Sequence, residues 1–558
     1  MSAATPTAME QGVALLGGGR FHEALQQFGL AARQQPLAAE PRVGLSQACQ
    51  GIGDGWAASA WLSDACRVAP QRAELWLELV NVLTQQQRES EIEPLLRVAL
   101  ALHPQHVPLL NAQAELYLRA RLYAQALAPY ERLYALQPRD RATLLHYGFC
   151  LEQTGAVEQA VARYREAVAL DPSFLEAHVD LSGVLWRLED FDGAMAHARR
   201  AVELAPDHPY AVRILGTALL NLNRLEEAEA QLRRALELQP GFALAEMDLA
   251  LTLLLAGKLE EGWAMYARRW RDTDRMERPA FFRAETEWRG PREQPPQGAH
   301  IVVYAEQGVG DVIQFIRYAP LLQRQGATVS AVVHPELAPL VEHSLPGVRC
   351  GGGPHDVRAD YHVALLDLPM HCGTTLANVP AQVPYLMAPP DKAALWRERL
   401  APWQGRFKVG LAWSGSLQQV NNNNRALRLS DLAQLLCAQG VQCFSLQKGG
   451  AGPFTDVAPA PGQLVDLTAE WADFTDSAAM LQNLDLVISV DTAVAHLAGA
   501  MGRPVWVILG PNADWRWLLR REDSPWYPTM RLFRRVHGEA RAPQVERVLG
   551  ALQQHMRG

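Results

Sequence analysis

The first half of the chain repeats its apolar and small residues with a period of 34. Seven successive units each end in a proline, at Pro36, Pro70, Pro104, Pro138, Pro172, Pro206 and Pro240. A small residue opens most units, and a bulky apolar residue such as Phe28 or Leu62 precedes the proline by eight positions. Small residues let two antiparallel helices approach closely, and bulky ones fill the groove between neighbouring units. Because proline cannot continue the hydrogen-bond ladder of a helix, it ends the second helix of each unit.

These units resemble the tetratricopeptide repeat. The resemblance implies an α-solenoid, a tetratricopeptide superhelix, over residues 1–275, with about seven repeats and a capping helix pair that starts at Phe242 and ends near Trp270. Each unit leaves an apolar face for the next to bury, so the array is expected to form a concave surface. Such a surface is expected to hold a protein or peptide; a spacer or a dimerisation element is the alternative.

In the second half, short apolar runs alternate with amphipathic stretches. A helix is predicted at residues 312–322, and strands are predicted at residues 301–304, 328–333, 408–413, 441–446, 486–490 and 505–509. Strands separated by helices predict parallel sheets. We therefore expect a linker at 276–298, an α/β lobe at 299–391, a second α/β lobe at 392–540 and a C-terminal helix at 541–558. Open parallel sheets bind ligands at the carboxyl ends of their strands, so the cleft between the lobes is the expected site.

Composition excludes several other classes of protein. The 558 residues suggest about three or four domains. A net charge of -8 argues against nucleic acid as a partner. The sequence shows neither an apolar run long enough for a membrane span nor a secretory signal. Seven scattered cysteines without a CxxC pair predict reduced core thiols in a cytoplasmic protein. No metal site is expected, since the adjacent His371 and Cys372 cannot surround one ion.

A glycine-rich turn follows the first predicted strand and opens a helix. Gly308 and Gly310 form this turn, which resembles a dinucleotide fingerprint except that Ile313 replaces its third glycine. Asp311 also places a carboxylate where a pyrophosphate would sit, and two anions there would repel. A carboxylate facing a cleft suits a general base. The alternative is that Asp311 only caps the helix.

The opposite lobe provides a predicted anion site. Asp491 and Thr492 follow the strand at 486–490, and the start of the next helix offers free backbone amides. His496 lies four positions after Thr492 on the same helical face and can donate to a phosphate when protonated. The alternative is that Asp491 or Thr492 caps the helix and His496 packs in the core.

Two further loops carry cations toward the same cleft. Ser414 follows one predicted strand, and Arg425 ends the asparagine run at 421–424. Gln447 and Lys448 follow another strand. Two cations and a helix N-terminus around one cleft suit a diphosphate better than a neutral ligand. Three nearby tryptophans are expected in the wall and core rather than stacked on a base: Trp515, Trp517 and Trp526.

The Gly-Val-Gly-Asp-Val-Ile-Gln turn at 308–314 and the Asp-Thr-Ala-Val-Ala-His-Leu-Ala-Gly helix at 491–499 together resemble heptosyltransferase-type glycosyltransferases. The resemblance implies that the lobes are the two Rossmann-like halves of a glycosyltransferase-B fold, the first on the acceptor side and the second on the nucleotide-sugar side. Repeats ahead of such a region are similar in plan to O-GlcNAc transferases and to bacterial flagellin glycosyltransferases. The histidine-centred acceptor site of O-GlcNAc transferases has no match here, so GlcNAc is not implied as the sugar.

The resemblance also implies roles for individual residues. Asp311 matches the catalytic base, and the implied donor-binding residues are Ser414, Arg425, Gln447, Lys448, Asp491, Thr492 and His496. It implies an inverting transfer without metal or cofactor, from a nucleotide sugar to a Ser or Thr hydroxyl of a protein such as a flagellin. The alternatives are a scaffold with an inactive transferase-like domain and a transferase acting on glycan or lipid. Whether the chain forms a homo-oligomer is left open.

Overall fold

The computed structural model describes residues 6–271, 276–351, 359–416 and 422–557. The chain forms two compact units, Met1–Val184 and Leu185–Gly558. Helix pairs fill the first unit, and the second contains further helix pairs followed by two parallel sheets. The predicted fold class, helical repeats followed by two α/β lobes, is confirmed.

The helical region consists of paired helices that follow the 34-residue period. Its helices are α1 Ala8–Gly17, α2 Phe21–Gln34, α3 Glu40–Gly51, α4 Gly55–Val68, α5 Ala73–Gln85, α6 Glu89–Leu102, α7 Val107–Arg119, α8 Tyr123–Leu136, α9 Arg141–Gln153, α10 Val157–Leu170, α11 Leu175–Leu185, α12 Phe191–Leu204, α13 Pro209–Asn221, α14 Leu225–Leu238, α15 Ala243–Leu255 and α16 Leu259–Tyr266. Each proline of the period lies two residues after the second helix of its pair. The helices α15 and α16 form the capping pair, and a 3-10 turn, Ala267–Arg271, continues it.

Glycines at the helix crossings act as the pattern predicts. A Cβ atom at Gly12 or at Gly44 would lie 2.6 Å from the ring of Phe28, so this buried ring occupies the space that both glycines leave open. A Cβ atom at Gly148 would lie 2.7 Å from the ring of Tyr164. The small residues therefore set the distance between helices within and between repeats.

The first sheet has four parallel strands in the order β3-β2-β1-β4. Its strands are β1 His300–Tyr304, β2 Thr328–Val332, β3 Arg349–Cys350 and β4 Tyr361–Ala364. The helices that accompany them are α17 Val309–Phe315, α18 Ala319–Arg324, α19 Ala338–Ser344 and α20 Leu368–His371. β1 and β2 match the predicted strands, whereas β3 and β4 were not predicted.

The second sheet has six parallel strands in the order β10-β9-β8-β5-β6-β7. They are β5 Phe407–Ala412, β6 Val441–Ser445, β7 Leu464–Asp466, β8 Leu486–Val490, β9 Val505–Leu509 and β10 Met530–Arg534. The helices of this lobe are α21 Pro390–Arg399, α22 Asn422–Arg425, α23 Ala433–Leu436, α24 Phe474–Gln482, α25 Ala493–Ala500 and α26 Arg541–His555. Of the strands, β7 and β10 were not predicted.

The segment expected as a linker packs against the first lobe. Trp288 is completely buried, and its backbone amide donates to the carbonyl oxygen of His362 on β4 at 2.8 Å. Arg278 and Glu287 form an ion pair within the segment at 2.7 Å. These contacts extend the packed structure beyond the edge of the first sheet.

Cysteine positions agree only in part with the expectation of core thiols. Four cysteines are buried, Cys350 and Cys372 are half-buried, and Cys437 is exposed.

Among the described residues, no helix is both long enough and apolar enough to cross a bilayer.

A buried cation fastens the capping helix pair to the first lobe. The guanidinium of Arg269 pairs with Glu306 at 2.7 Å and with Asp367 at 2.6 Å, and all three side chains are almost completely buried. The hydroxyl of Tyr266 accepts a hydrogen bond from the Gln307 amide at 2.7 Å. Glu306 and Gln307 directly precede the glycine-rich turn, so the position of that turn is tied to the end of the repeats. We call Arg269, Glu306 and Asp367 the Arg269 clasp.

Replacing Arg269 tests how much the clasp stabilises the fold. Arg269→Met would leave two buried carboxylates without their cation, and we expect it to lower the free energy of unfolding by about 3–5 kcal/mol. The matched control is Arg268→Met, because Arg268 pairs with Glu246 from a half-exposed position and Arg271 remains as a partner. We expect a cost below about 1 kcal/mol for the control. Equal denaturation midpoints for the two variants would contradict a stabilising role of the Arg269 clasp.

Candidate functional site

A cavity of about 1010 Å³ lies at the carboxyl ends of strands from both sheets. We call it the interlobe cavity. β1 lies between β2 and β4, and β5 lies between β6 and β8, so each sheet reverses its strand order at these strands. Such reversal points form the crevices in which α/β sheets bind ligands. The cavity is lined by all ten residues singled out in the sequence: Gly308, Gly310, Asp311, Ser414, Arg425, Gln447, Lys448, Asp491, Thr492 and His496.

The glycine-rich turn brings the first lobe close to the second. Gly308 is the N-cap residue of α17, and Asp311 lies in the first turn of that helix. A Cβ atom at Gly310 would lie 3.1 Å from Cδ2 of His496 and 3.6 Å from Cα of Ala493. The absence of a side chain at Gly310 therefore lets α17 approach the start of α25.

An arginine that the sequence interpretation missed holds Asp311. Arg516, which follows β9, donates through Nη2 to Oδ1 of Asp311. Its Nε donates to Oε1 of Gln314 at 2.7 Å, and its Nη1 donates to Oδ1 of Asp514 at 2.9 Å. The guanidinium also lies over the ring of Trp515, 4.3 Å from its centroid. Arg516 is buried and ties the second lobe to the first across the interlobe cavity.

The pKa of Asp514 is shifted in the direction opposite to that of nearby Asp491. Burial raises the pKa of Asp514 and the nearby negative charge of Asp491 raises it further, although Arg516 acts in the opposite direction.

The sequence did contain a signal for the loop that carries Asp514 and Arg516. Asp514 and Arg516 follow a predicted strand, as do the other loops of the site, but nothing local marks them as partners of Asp311.

Asp491 is held as an anion by its surroundings. Burial opposes its ionisation, but the hydrogen bond and charge of His496 and the charge of Arg425 lower the pKa of Asp491 well below its usual range. His496 is buried between partners. Its Nδ1 lies 2.9 Å from the hydroxyl of Tyr527, and its Nε2 lies 3.7 Å from Oδ1 of Asp491.

The ring of His496 also stacks on Trp517 at 5.3 Å, with an angle of 25° between the planes. Both ring nitrogens thus face protein groups, and the residue also lines the interlobe cavity. The three tryptophans expected in wall and core positions are all buried: Trp515, Trp517 and Trp526.

The start of α25 presents backbone amides to the interlobe cavity. Thr492 is the N-cap residue, and Ala493 and Val494 line the cavity beside it. The Thr492 hydroxyl lies 2.8 Å from the Ser489 hydroxyl and makes no capping bond. Amides in the first turn of a helix lack partners within the helix, so this end of α25 can bind an anion.

Ser414 and Gln447 support each other at the ends of neighbouring strands. Gln447 Oε1 accepts a hydrogen bond from the Ser414 amide at 3.1 Å, and the Ser414 hydroxyl accepts one from Asn422 at 3.1 Å. Asn422 Oδ1 also accepts a bond from Nε of Arg425 at 3.3 Å. A side chain at Gly415 would overlap the Arg425 guanidinium, so this glycine makes room for the cation.

Lys448 contributes the second cation of this side. Its Nζ donates to the carbonyl oxygen of Trp471 at 2.7 Å, while the residue remains exposed toward the cavity.

Of the asparagine run at 421–424, residue 421 lies outside the described residues. The cavity also has lining residues that the sequence interpretation did not include, among them Glu336, Trp471, Asp473, Phe474 and Ser477. Within the described ranges, no three His, Cys, Asp or Glu side chains are grouped as metal ligands would be.

Comparison with protein families gives two kinds of match. Residues 111–173, 157–209 and 185–247 match tetratricopeptide repeat families. Residues 462–546 match glycosyltransferase family 9 (heptosyltransferase), a stretch that contains Asp491, Thr492, His496 and Arg516. Repeats similar to tetratricopeptide repeats thus accompany a segment similar to heptosyltransferases, and the second match indicates a glycosyltransferase domain.

The chain is also similar to individual proteins. Protein FlbA of Caulobacter vibrioides is 29% identical over 322 residues, which cover 52% of this chain and 52% of FlbA. The chain therefore spans about half the length of this curated relative. Among solved structures, YrrB, described as a TPR protein with an unusual peptide-binding site, covers 33% of this chain and 95% of its own, at 19% identity and a TM-score of 0.30. MamA from Desulfovibrio magneticus RS-1 covers 30% and 95%, at 22% identity and a TM-score of 0.28.

The low pKa of Asp491 predicts a pH-dependent contribution to stability. Its ionised form stabilises the fold above the pKa of an unfolded aspartate, and this stabilisation is lost as the pH falls from about 4 toward about 2. We expect Asp491→Asn to lower the free energy of unfolding by about 2 kcal/mol at pH 6, with a deficit that shrinks below pH ~4. Tyr527→Phe is the control, because it removes the hydroxyl facing His496 but keeps the carboxylate. If the loss of unfolding free energy in Asp491→Asn stayed constant down to pH ~3, the low pKa of Asp491 would be contradicted.

Proposed function

We propose that this chain is an inverting glycosyltransferase that moves a sugar from a nucleotide sugar to a Ser or Thr hydroxyl of a protein. The observation that carries the proposal is the interlobe cavity. It presents a carboxylate, Asp311, on the side of the first lobe and a helix N-terminus with two cations, Arg425 and Lys448, on the side of the second. The family match over residues 462–546 supports the same class of reaction.

The second lobe is suited to the donor. The amides at the start of α25 and the side chains of Arg425 and Lys448 can surround a diphosphate with positive charge. Charge develops on the leaving nucleoside diphosphate as its bond to the sugar breaks, so these fixed groups stabilise the transition state. Asp491 and His496 also line the cavity, and the contact between them would hold the loop before α25 against the helix.

The first lobe is suited to the acceptor. Arg516 holds Oδ1 of Asp311, while Oδ2 has no hydrogen-bond partner among the described residues. Oδ2 would take the proton of the acceptor hydroxyl as its oxygen attacks the anomeric carbon from the face opposite the diphosphate. The new C–O bond forms as the old one breaks, and the electron pair of the old bond leaves on the nucleoside diphosphate. Attack from the opposite face inverts the anomeric centre.

The repeats support a protein as the acceptor. Tetratricopeptide arrays present extended surfaces for polypeptides. The Arg269 clasp joins the end of the array to the turn that carries Asp311, so a polypeptide bound by the repeats would be held near the proposed base. A cytoplasmic location and a flagellin-like acceptor are parts of this proposal.

Donor binding can be measured as thermal stabilisation of the whole chain by UDP, GDP, ADP, CMP and their sugar conjugates. One nucleotide series is expected to raise the melting temperature, since a ligand at 100 times its Kd adds about 2.7 kcal/mol. Arg425→Met and Lys448→Met should lose most of this shift. Lys408→Met should keep it, because Lys408 lies near the start of β5, at the end of the strand away from the cavity, and pairs with Asp485 at 3.7 Å. If no nucleotide stabilises the wild type, the chain is better described as a scaffold.

Catalysis by Asp311 predicts a separation of binding from turnover. Asp311→Asn should keep the thermal shift produced by the donor, yet lower transfer of labelled sugar to a mixed library of Ser and Thr peptides by about 10²–10⁴-fold. Asp360→Asn is the control, since Asp360 accepts a hydrogen bond from the His300 amide at the far end of β1. Turnover retained by Asp311→Asn would remove this residue as the base. Transfer to glycan or lipid but to no peptide would remove the protein acceptor.

A further inference from the structure

A second, smaller cavity lies where the last repeats meet the loop after β9. Its volume is about 160 Å³, and we call it the junction pocket. Its apolar wall is formed by Trp186, Leu220, Leu251, Leu255, Ala513 and Trp515. The first four residues belong to the helical region, and the last two belong to the second lobe, so both parts of the chain are needed to form it.

The size and lining of the junction pocket suit one apolar side chain. A cavity of about 150 Å³ lined by Leu, Ile and Phe accommodates benzene. Four leucine and tryptophan side chains from the helices offer a similar lining here. A branched aliphatic side chain, such as that of Val or Leu, fills such a space without entering the interlobe cavity.

Polar groups at the rim suit a peptide backbone. Asn223 donates through Nδ2 to the carbonyl oxygen of Pro511 at 2.8 Å, while its Oδ1 is buried and has no partner among the described residues. Oδ1 of Asn512, from the opposite side, is also buried and has no hydrogen-bond partner within the part of the chain that the structure describes. Unpaired buried acceptors are costly, and a turn of either asparagine side chain toward the pocket would bring its oxygen to the N–H groups of a bound peptide.

Asp514 connects the junction pocket to the proposed chemistry. It lines both the junction pocket and the interlobe cavity. It also accepts a hydrogen bond from Arg516, whose other nitrogens hold Gln314 and Asp311. Asp514 therefore places the junction pocket next to the interlobe cavity, so a polypeptide with one side chain in the pocket can continue toward Asp311.

We propose that the junction pocket selects the acceptor by receiving an apolar side chain, of about the size of Val or Leu, that lies close in sequence to the modified Ser or Thr. This proposal rests on the proposed function. It names the class of substrate: a polypeptide with an aliphatic residue at one fixed distance from the modified hydroxyl.

A peptide library tests the proposal. Ser- and Thr-centred peptides carry Gly, Val, Leu, Phe or Asp at one flanking position at a time, and the donor is the nucleotide sugar chosen by thermal shift. At one position, wild type is expected to label Val or Leu peptides about tenfold or more above Gly and Asp peptides. Uniform labelling at every position would overturn the proposal and leave the proposed function intact.

Variants of Leu251 change the size of the pocket in opposite directions. Leu251→Trp fills it and should abolish the preference, whereas Leu251→Ala enlarges it and should move the preference toward Phe. Leu220→Phe fills the pocket from the neighbouring helix, so the test does not depend on the folding of one variant. Leu395→Trp is the control, because Leu395 is half exposed on α21 and should leave the preference unchanged.

The outcomes separate the two proposals. A preference that persists in Leu251→Trp and Leu220→Phe, with melting temperatures close to that of the wild type, would overturn the role of the junction pocket. If the chain hydrolyses the donor but labels no peptide in the library, the protein acceptor of the proposed function fails, and the pocket proposal fails with it.

Discussion

The buried guanidinium of Arg269 is the constraint on which the arrangement of the second unit depends. A cation removed from water needs partners that compensate its charge, and Glu306 and Asp367 supply two carboxylates from two loops of the first lobe. Glu306 stands five residues before Asp311, so the same ion pair that anchors the last helices also fixes where the glycine-rich turn begins. From Leu185 onward, the last repeats and the two lobes form one compact unit.

A second buried cation repeats this principle across the cleft. Arg516 is supplied by the loop after β9 but directs its nitrogens to Gln314 and Asp311 of the other lobe. Gly310 permits the close approach that this requires. Asp311, the proposed base, is thus held by a charged partner from the other lobe.

Local patterns in the sequence predicted most of the fold. The period that ends in Pro36 and its equivalents sets helix length, and continuous apolar runs identify the buried central strands β1, β5, β8 and β9. β3 has only two residues, and β7 and β4 have three and four, too few for a periodic signal. The loops after the strands could be identified as one site because parallel strands bring their carboxyl ends together. Pairs such as Asp311 and Arg516 could not, since 205 positions separate them and no local spacing records a tertiary ion pair.

The hold of Arg516 on Asp311 has a consequence for fidelity. The proposed base, Asp311, comes from one lobe, and Arg516, which orients it, comes from the other. The carboxylate is therefore oriented for proton transfer only when the two lobes are in contact. In an arrangement with the lobes apart, water that reached a bound donor would meet no aligned proton acceptor. Under the proposed function, the chain would protect an activated sugar from wasteful hydrolysis by assembling its reactive centre only upon closure.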